Sequence, residues 1–211
     1  MSCFSVKGSD DVISDLLYIQ CPILTGSIKN DVVNLLNENN KEKTAIHCVQ
    51  VAETCADLAV QFGLDKTIAY TSGILHDISA VVKPSDMLYY AENCGWYIDE
   101  SERKHNIILH QRISSVLAME YYGVSDRHIL SAIECHSTLK ANASEYDMLL
   151  FLADKISWDQ QGMPPFLDII HKSLNTSLKA ASLAYINYAL DHDMILLPHK
   201  WLNEAKIWLE V

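Results

Sequence analysis

Glycine and proline are scarce in this chain, seven and five residues among 211, and alternation of apolar with polar residues is hard to find. A β-rich fold threaded on many tight turns is thereby excluded. No run of about 18 apolar residues is there to span a bilayer, and Met1 to Asp10 lacks the basic and apolar regions of a secretory leader. Neither membrane insertion nor secretion is expected. Positive charge is also short. The 16 Lys and Arg stand against 27 Asp and Glu, a formal charge of −11, which argues against a nucleic-acid partner whose phosphates require clustered cations. The six cysteines show no CxxC spacing, so reduced thiols in the cytoplasm are the simplest reading. Cys48 and Cys55, seven apart on one expected helix face, lack a second Cys or His pair at zinc-finger spacing and are expected to pack.

What is present is helical periodicity. Apolar residues recur at three and four spacing from Ile28 almost to the C-terminus, and about half of the chain is apolar, enough for one substantial core. The expectation is an all-α helical bundle over residues 28–211, preceded by an N-terminal extension over 1–27 that breaks at Cys21-Pro22 and Thr25-Gly26-Ser27. Helices are predicted from Ile28 to Asn37, and from a cap at Thr44 to Gly63. Asp65 should cap a third helix, whose Ile68, Ala69, Ile74 and Leu75 bring His76 and Asp77 to its C-terminal end. Pro84 marks a start and Asn93-Cys94-Gly95 a stop, and helices follow around His105 to Tyr121 and Asp126 to Cys135. Beyond a polar loop from His136 to Ala143, Met148 to Ile156 is strongly apolar, which makes Asp154 a carboxylate in need of a partner. Gly162-Met163-Pro164-Pro165 should end that element, and Phe166 to Leu190 and Pro198 to Leu209 read as two last helices.

The chemistry lies in the order His47, His76-Asp77, His110, His136, Asp154. Imidazole nitrogens with a carboxylate able to bridge are what a pair of hydrolytic transition-metal ions requires, and such pairs activate water against phosphate esters. His47 falls near one helix start, and His76-Asp77 and His136 fall at helix ends, so antiparallel neighbours can gather them. His105, five residues before His110, competes for its ligand position. His128, His171, His192 and His199 lack paired ligands and are read as surface or packing residues.

Five segments carry a family resemblance: TAIHCV (Thr44 to Val49), GILHD (Gly73 to Asp77), the His110 position, AIECHST (Ala132 to Thr138) and LLFLADKI (Leu149 to Ile156). Together they resemble the HD superfamily, and within it the bacterial HD-domain symmetrical diadenosine tetraphosphate hydrolases, over roughly Ile28 to Leu190. The resemblance implies an all-helical domain holding two divalent transition-metal ions through His47, His76, Asp77, His110, His136 and Asp154. Iron is the first expectation, with Mn, Co, Ni or Zn accepted by the same ligand types. It also implies cleavage of diadenosine tetraphosphate to two ADP. The chain departs from the family in carrying Ala80 where a Lys commonly follows the HD pair, and Lys155-Ile156-Ser157-Trp158-Asp159-Gln160 where an acidic residue, Pro and Arg tend to follow the last Asp. The phosphate and nucleoside contacts are therefore expected to differ.

The mechanism this suggests is in-line attack on phosphorus by a hydroxide bridging the two ions, with Asp77 holding both and Asp77 and His110 at the reacting centre. Lys83, Arg103, Lys104, Arg112, Lys140 and Lys155 are the basic residues close in sequence to the ligands, and Lys83 and Arg112 are the chosen phosphate contacts. Tyr89, Tyr90 and Trp96 receive no role. The partner expected is a small nucleotide, neither nucleic acid nor membrane. A homodimer through the N-terminal extension or the C-terminal helices is compatible with the pattern, which does not separate an interface stripe from core. Two alternatives stay open: a nucleoside monophosphate phosphatase or other nucleotide phosphohydrolase on the same metals, and a non-catalytic regulatory module that binds metal and nucleotide. A structural adaptor would require six ligand-type residues to be coincidental.

Overall fold

The computed structural model describes residues 18–158 and 162–211, so most of the expected 1–27 extension and the Asp159-Gln160 pair lie outside the described residues. Among the described residues there are eleven α-helices, two 3-10 turns and no strand, an all-α fold. In chain order they are α1 (Ile28–Glu38), α2 (Glu42–Phe62), α3 (Lys66–Leu75), a 3-10 turn (Ile78–Val81), α4 (Pro84–Asn93) and α5 (Glu100–Lys104). A second 3-10 turn (Asn106–Leu109) leads into α6 (His110–Glu120), α7 (Arg127–Cys135), α8 (Glu145–Ile156), α9 (Leu167–Leu174), α10 (Leu178–Asp191) and α11 (Lys200–Leu209). None of these helices is long and apolar enough to cross a membrane.

Local chemistry accounts for most boundaries. Gly63 ends α2 in the left-handed region at φ 69°, which costs glycine little. The Asp65 carboxylate accepts from the Thr67 and Ile68 amides at the start of α3, and Ser144 and Asp147 form a reciprocal capping box on α8. Three boundaries differ from the sequence expectation. Helix α2 starts at Glu42 behind Lys41 with no side-chain cap, so Thr44 sits inside its first turn and does not cap it. The stretch expected around His105 to Tyr121 is three pieces, because an Asp99–Glu102 capping box starts α5 and the backbone leaves the helix at His105 (φ −131°, ψ 80°) before α6 begins. The expected helix from Phe166 to Leu190 breaks into α9 and α10, where the Ser177 hydroxyl accepts from the Ala180 amide and opens a new helix.

Helix α3 packs on α2, α7 and α8, and α8 on α2 and α7, with α6 against α7 and α10 against α8. The buried side chains form one cluster from Ile19 to Leu209. Its tightest approach fixes the position of the HD dipeptide. A Cβ on Gly73 would lie 2.6 Å from the Ala52 Cα and 2.9 Å from the Ala52 nitrogen, so α3 crosses α2 main chain to main chain, three residues before His76. Cys55 lies against Gly73 at the same crossing, and the Cys48 thiol, pushed up in pKa by burial, sits beside His76 and Asp77. Cys48, Cys55, Cys94 and Cys135 are free thiols; Cys21 departs from the all-reduced expectation and is disulfide-bonded.

Candidate metal centre

The ends of α3 and α7, the first turns of α2 and the last of α8, and the start of α6 meet on one side of the core. There the structure brings together the six residues named from spacing. His47 Nε2 lies 3.0 Å from Asp154 Oδ1, and His76 Nε2 lies 3.6 Å from the same oxygen and 3.5 Å from Asp77 Oδ2. The other Asp77 oxygen faces His110 Nε2 at 3.3 Å and His136 Nε2 at 3.5 Å. Asp77 thus stands between two groups of imidazoles with one oxygen turned to each.

Three of the four histidines are locked the same way. His76, His110 and His136 each donate from Nδ1 to the carbonyl three residues earlier, of Gly73 (2.7 Å), Ile107 (2.6 Å) and Ile133 (2.8 Å). Each bond engages the Nδ1 proton and points Nε2 inward. Two observations follow from that arrangement. His76 Nε2 is fully buried with no hydrogen-bond partner, and the His110 and His136 Nε2 atoms sit 2.9 Å apart with both Nδ1 donors already engaged. Lone pairs and carboxylate oxygens facing one another in a buried space need a cation among them. Ligand atoms of His47, His76 and Asp154, and again of His76, Asp77 and His136, lie within 4.8 Å of one another. The donor set of imidazole nitrogen and carboxylate oxygen suits divalent transition ions.

The electrostatics agree. Burial alone would raise the Asp77 carboxyl, but the His76, His136 and His110 imidazoles outweigh it and hold it well below the usual carboxylate range. Asp154 is likewise opposed by burial yet held low by Lys155, His47 and His76. Burial pushes His136 down to about 4, which keeps it neutral as a ligand must be. Burial would lower His76 too, but the Asp77 carboxylate wins and raises it.

Neighbouring residues fix these side chains. Ser79, two residues after Asp77, donates to the His110 carbonyl and accepts from the Ser114 hydroxyl, tying the HD turn to α6. Gln111 is fully buried; its Oε1 accepts from the Ser137 and Thr138 amides and holds the loop after His136. The sequence gives no periodic signal for Gln111, and its position next to a candidate ligand is the one available hint.

The expected phosphate contacts fare differently from the ligands. Arg112 donates to Glu102 and to the Tyr97 carbonyl and lies 4.2 Å from the centre of the Trp96 ring, so its guanidinium is engaged away from the cluster. Lys83 is exposed, 4.3 Å over the Tyr18 ring. The cation beside the cluster is Lys155, whose Nζ donates to Asp154 Oδ2 at 2.7 Å and to the His136 carbonyl at 3.2 Å. Direct adjacency to Asp154 in an apolar helix is the signal that could have singled it out. His105 is exposed at the end of α5, and His128, His171 and His192 are exposed as well, while His199 is buried as the cap of α11, 3.6 Å from Glu102.

A cavity of about 310 Å³ opens onto the cluster, lined by Thr44, His47, Asp77, Asp154, Lys155, Trp158 and Tyr185. Its lining joins polar and charged side chains with two aromatic ones, Trp158 and Tyr185.

Against known proteins, residues 44–159 match the HD domain family model. A Lactococcus lactis subsp. cremoris protein, described as an uncharacterized protein in the pepC 5' region, is 41% identical over 147 residues, 70% of this chain and 75% of that one. A symmetrical bis(5'-nucleosyl)-tetraphosphatase of Halalkalibacterium halodurans is 24% identical over 190 residues, 86% of this chain and 98% of that protein. Among solved structures, a chain from Clostridium acetobutylicum described as a predicted HD superfamily hydrolase involved in NAD metabolism superposes with a TM-score of 0.77 over 86% of this chain and 96% of its own, at 23% identity. At that identity the likeness bears on the fold.

Proposed function

The chain belongs to the HD domain family, and on that premise we propose that it is a metal-dependent phosphohydrolase cleaving a phosphoanhydride of a small nucleotide, with diadenosine tetraphosphate to two ADP as the first substrate to test. The observation that carries this reading is the inward turn of three Nε2 lone pairs, each fixed by an Nδ1 bond to a carbonyl, toward two carboxylates held ionised. His47, His76, Asp77 and Asp154 would hold one ion, and Asp77, His110 and His136 a second. When bound, divalent ions of this kind lower the pKa of water and stabilise charge developing on phosphoryl oxygens. Iron is the first metal to test, with Mn, Co, Ni and Zn compatible with the same donors.

The protein's own contribution is orientation. Asp77 keeps one oxygen toward each group of imidazoles, and Lys155 supplies a fixed positive charge beside Asp154, where a substrate phosphate would arrive. The tetraphosphatase name of the Halalkalibacterium relative supports the substrate choice. A second reading, a phosphatase acting on a mononucleotide, is favoured by the cavity itself, since about 310 Å³ is near the lower end for ligand sites.

The test is elemental analysis of purified protein coupled to anaerobic turnover of diadenosine tetraphosphate, with products separated by chromatography, for wild type and Asp77→Ala. Transition metal that is lost in the variant together with ADP formation supports the proposal. Metal with released phosphate from mononucleotides favours the second reading, and a tight nucleotide complex without hydrolysis the regulatory module. Wild-type protein that takes up no transition metal under replete conditions would sink the proposal.

A further inference from the structure

The four tryptophans have different surroundings. Trp96 covers the Arg112 guanidinium at 4.2 Å, Trp201 lies near Arg112 and edge-on to His199, and Trp208 faces Lys179 at 5.2 Å. Each of these rings has a charged or polar neighbour of its own. Trp158 is unlike them. It follows the end of α8, four residues after Asp154, half-buried, and it lines the cavity over the candidate metal ligands.

Its ring is held from behind. Phe166, fully buried, meets Trp158 edge-on at 5.5 Å and is itself met edge-on by Tyr185 at 5.0 Å. The turn that delivers Trp158 is pinned one residue earlier, where the Ser157 and Thr54 hydroxyls share a 2.8 Å hydrogen bond. An indole braced against a buried aromatic and open to a cavity is a flat apolar surface with little left to order on binding. The same cavity is lined by His47, Asp77, Asp154 and Lys155. A ligand with an anionic group for the cluster and Lys155 and a planar ring for Trp158 would use both at once.

Resting on the phosphohydrolase reading above, we propose that Trp158 is the nucleobase platform of this cavity, stacking the base of the nucleotide whose phosphates lie over the ligand cluster. Every base has a π face, so the platform selects nucleotides over simple phosphates and favours the larger purine surface. Stacking one base on an aromatic ring is worth roughly ten- to a hundredfold in affinity.

The experiment is a fluorescence titration of metal-loaded protein with ADP and with inorganic pyrophosphate, supported by calorimetry, for wild type, Trp158→Ala and Trp158→Phe. ADP should quench wild-type tryptophan emission, and pyrophosphate should bind without quenching. Trp158→Ala should lose the quench and weaken ADP about tenfold with pyrophosphate affinity unchanged, and Trp158→Phe should regain most of the ADP affinity without the quench. Equal weakening of both ligands in Trp158→Ala, or full ADP affinity there, overturns the platform while leaving the phosphohydrolase reading in place. If wild type binds neither ligand, that reading falls and the platform falls with it.

Discussion

His110 and His136 turn their Nε2 atoms toward each other across 2.9 Å, and each gives its Nδ1 proton to a main-chain carbonyl three residues back. Two neutral rings of this tautomer oppose lone pair to lone pair, an arrangement that a divalent ion between them would relieve. A divalent ion replaces that arrangement and the raised protonation of His76 at once. Metal uptake at neutral pH should therefore release protons, and apparent metal affinity should rise with pH. Calorimetry in buffers of different ionisation enthalpy reads this directly; a binding heat that does not vary with the buffer would refute it.

Gln111→Ala removes the carbonyl that holds the Ser137 and Thr138 amides. His136 keeps its own Nδ1 bond but loses the anchor of its following loop. Metal affinity should fall by roughly 10- to 100-fold, the usual effect of losing a group that orients ligands. Competition against a chromophoric chelator measures it, and Gln111→Glu should recover less than the amide because the buried position then carries an added charge.

Gly73→Ala forces a methyl group to within 2.6 Å of the Ala52 Cα, where no flexible side chain can yield. The helices must separate, at a cost of about 1–3 kcal/mol. Because Gly73 also supplies the carbonyl that locks His76, the variant should lose metal as well as thermal stability. Unchanged melting temperature and metal content together would contradict the close crossing.

Glu102 is 1% exposed, and burial would raise its carboxyl, yet the His199, Asp99 amide and Arg112 contacts hold it below its ordinary value. A carboxyl depressed in the folded state contributes stability in full above its unfolded pKa of about 4.3. That contribution is lost as pH falls through the lower folded value. Glu102→Gln should flatten the acid limb of stability measured by denaturant unfolding between about pH 5 and pH 2. Arg112→Ala should cost about 3 kcal/mol by leaving Glu102 buried with one partner fewer, without moving metal content in protein that is still folded.

Much of the helix order was legible where local chemistry marks a boundary, with Gly63 and Asp65 around one turn and His76 where an apolar run stops, and the six ligand-type positions were legible from their order along the chain, although the boundary at His110 was not. What sequence proximity does not carry is direction. Arg112 and Lys155 are both close to a ligand in the chain, but Arg112 leaves its helix toward Glu102 and Trp96, while Lys155 turns back to Asp154 and the His136 carbonyl. The break before Ser177 and the capping box at Asp99 were hidden by apolar periodicity that continues across them. Trp158 carries no period at all, since it lies just beyond a helix end, and its role is visible only in what stands behind and before it.

The carbonyls of Gly73, Ile107 and Ile133 belong to three helical segments that end at His76, His110 and His136, and those of Ile107 and Ile133 accept both the amide and the ring Nδ1 of the histidine three residues on. The same three imidazoles that face the cluster are thus tied to the segments that deliver them. Fraying of any one of those turns releases a ring to rotate, and rotation of a ring costs its turn one hydrogen bond. Hydrogen exchange at these termini and metal dissociation should then share one opening event, so that a bound ion closes three helix ends together and its departure loosens them together.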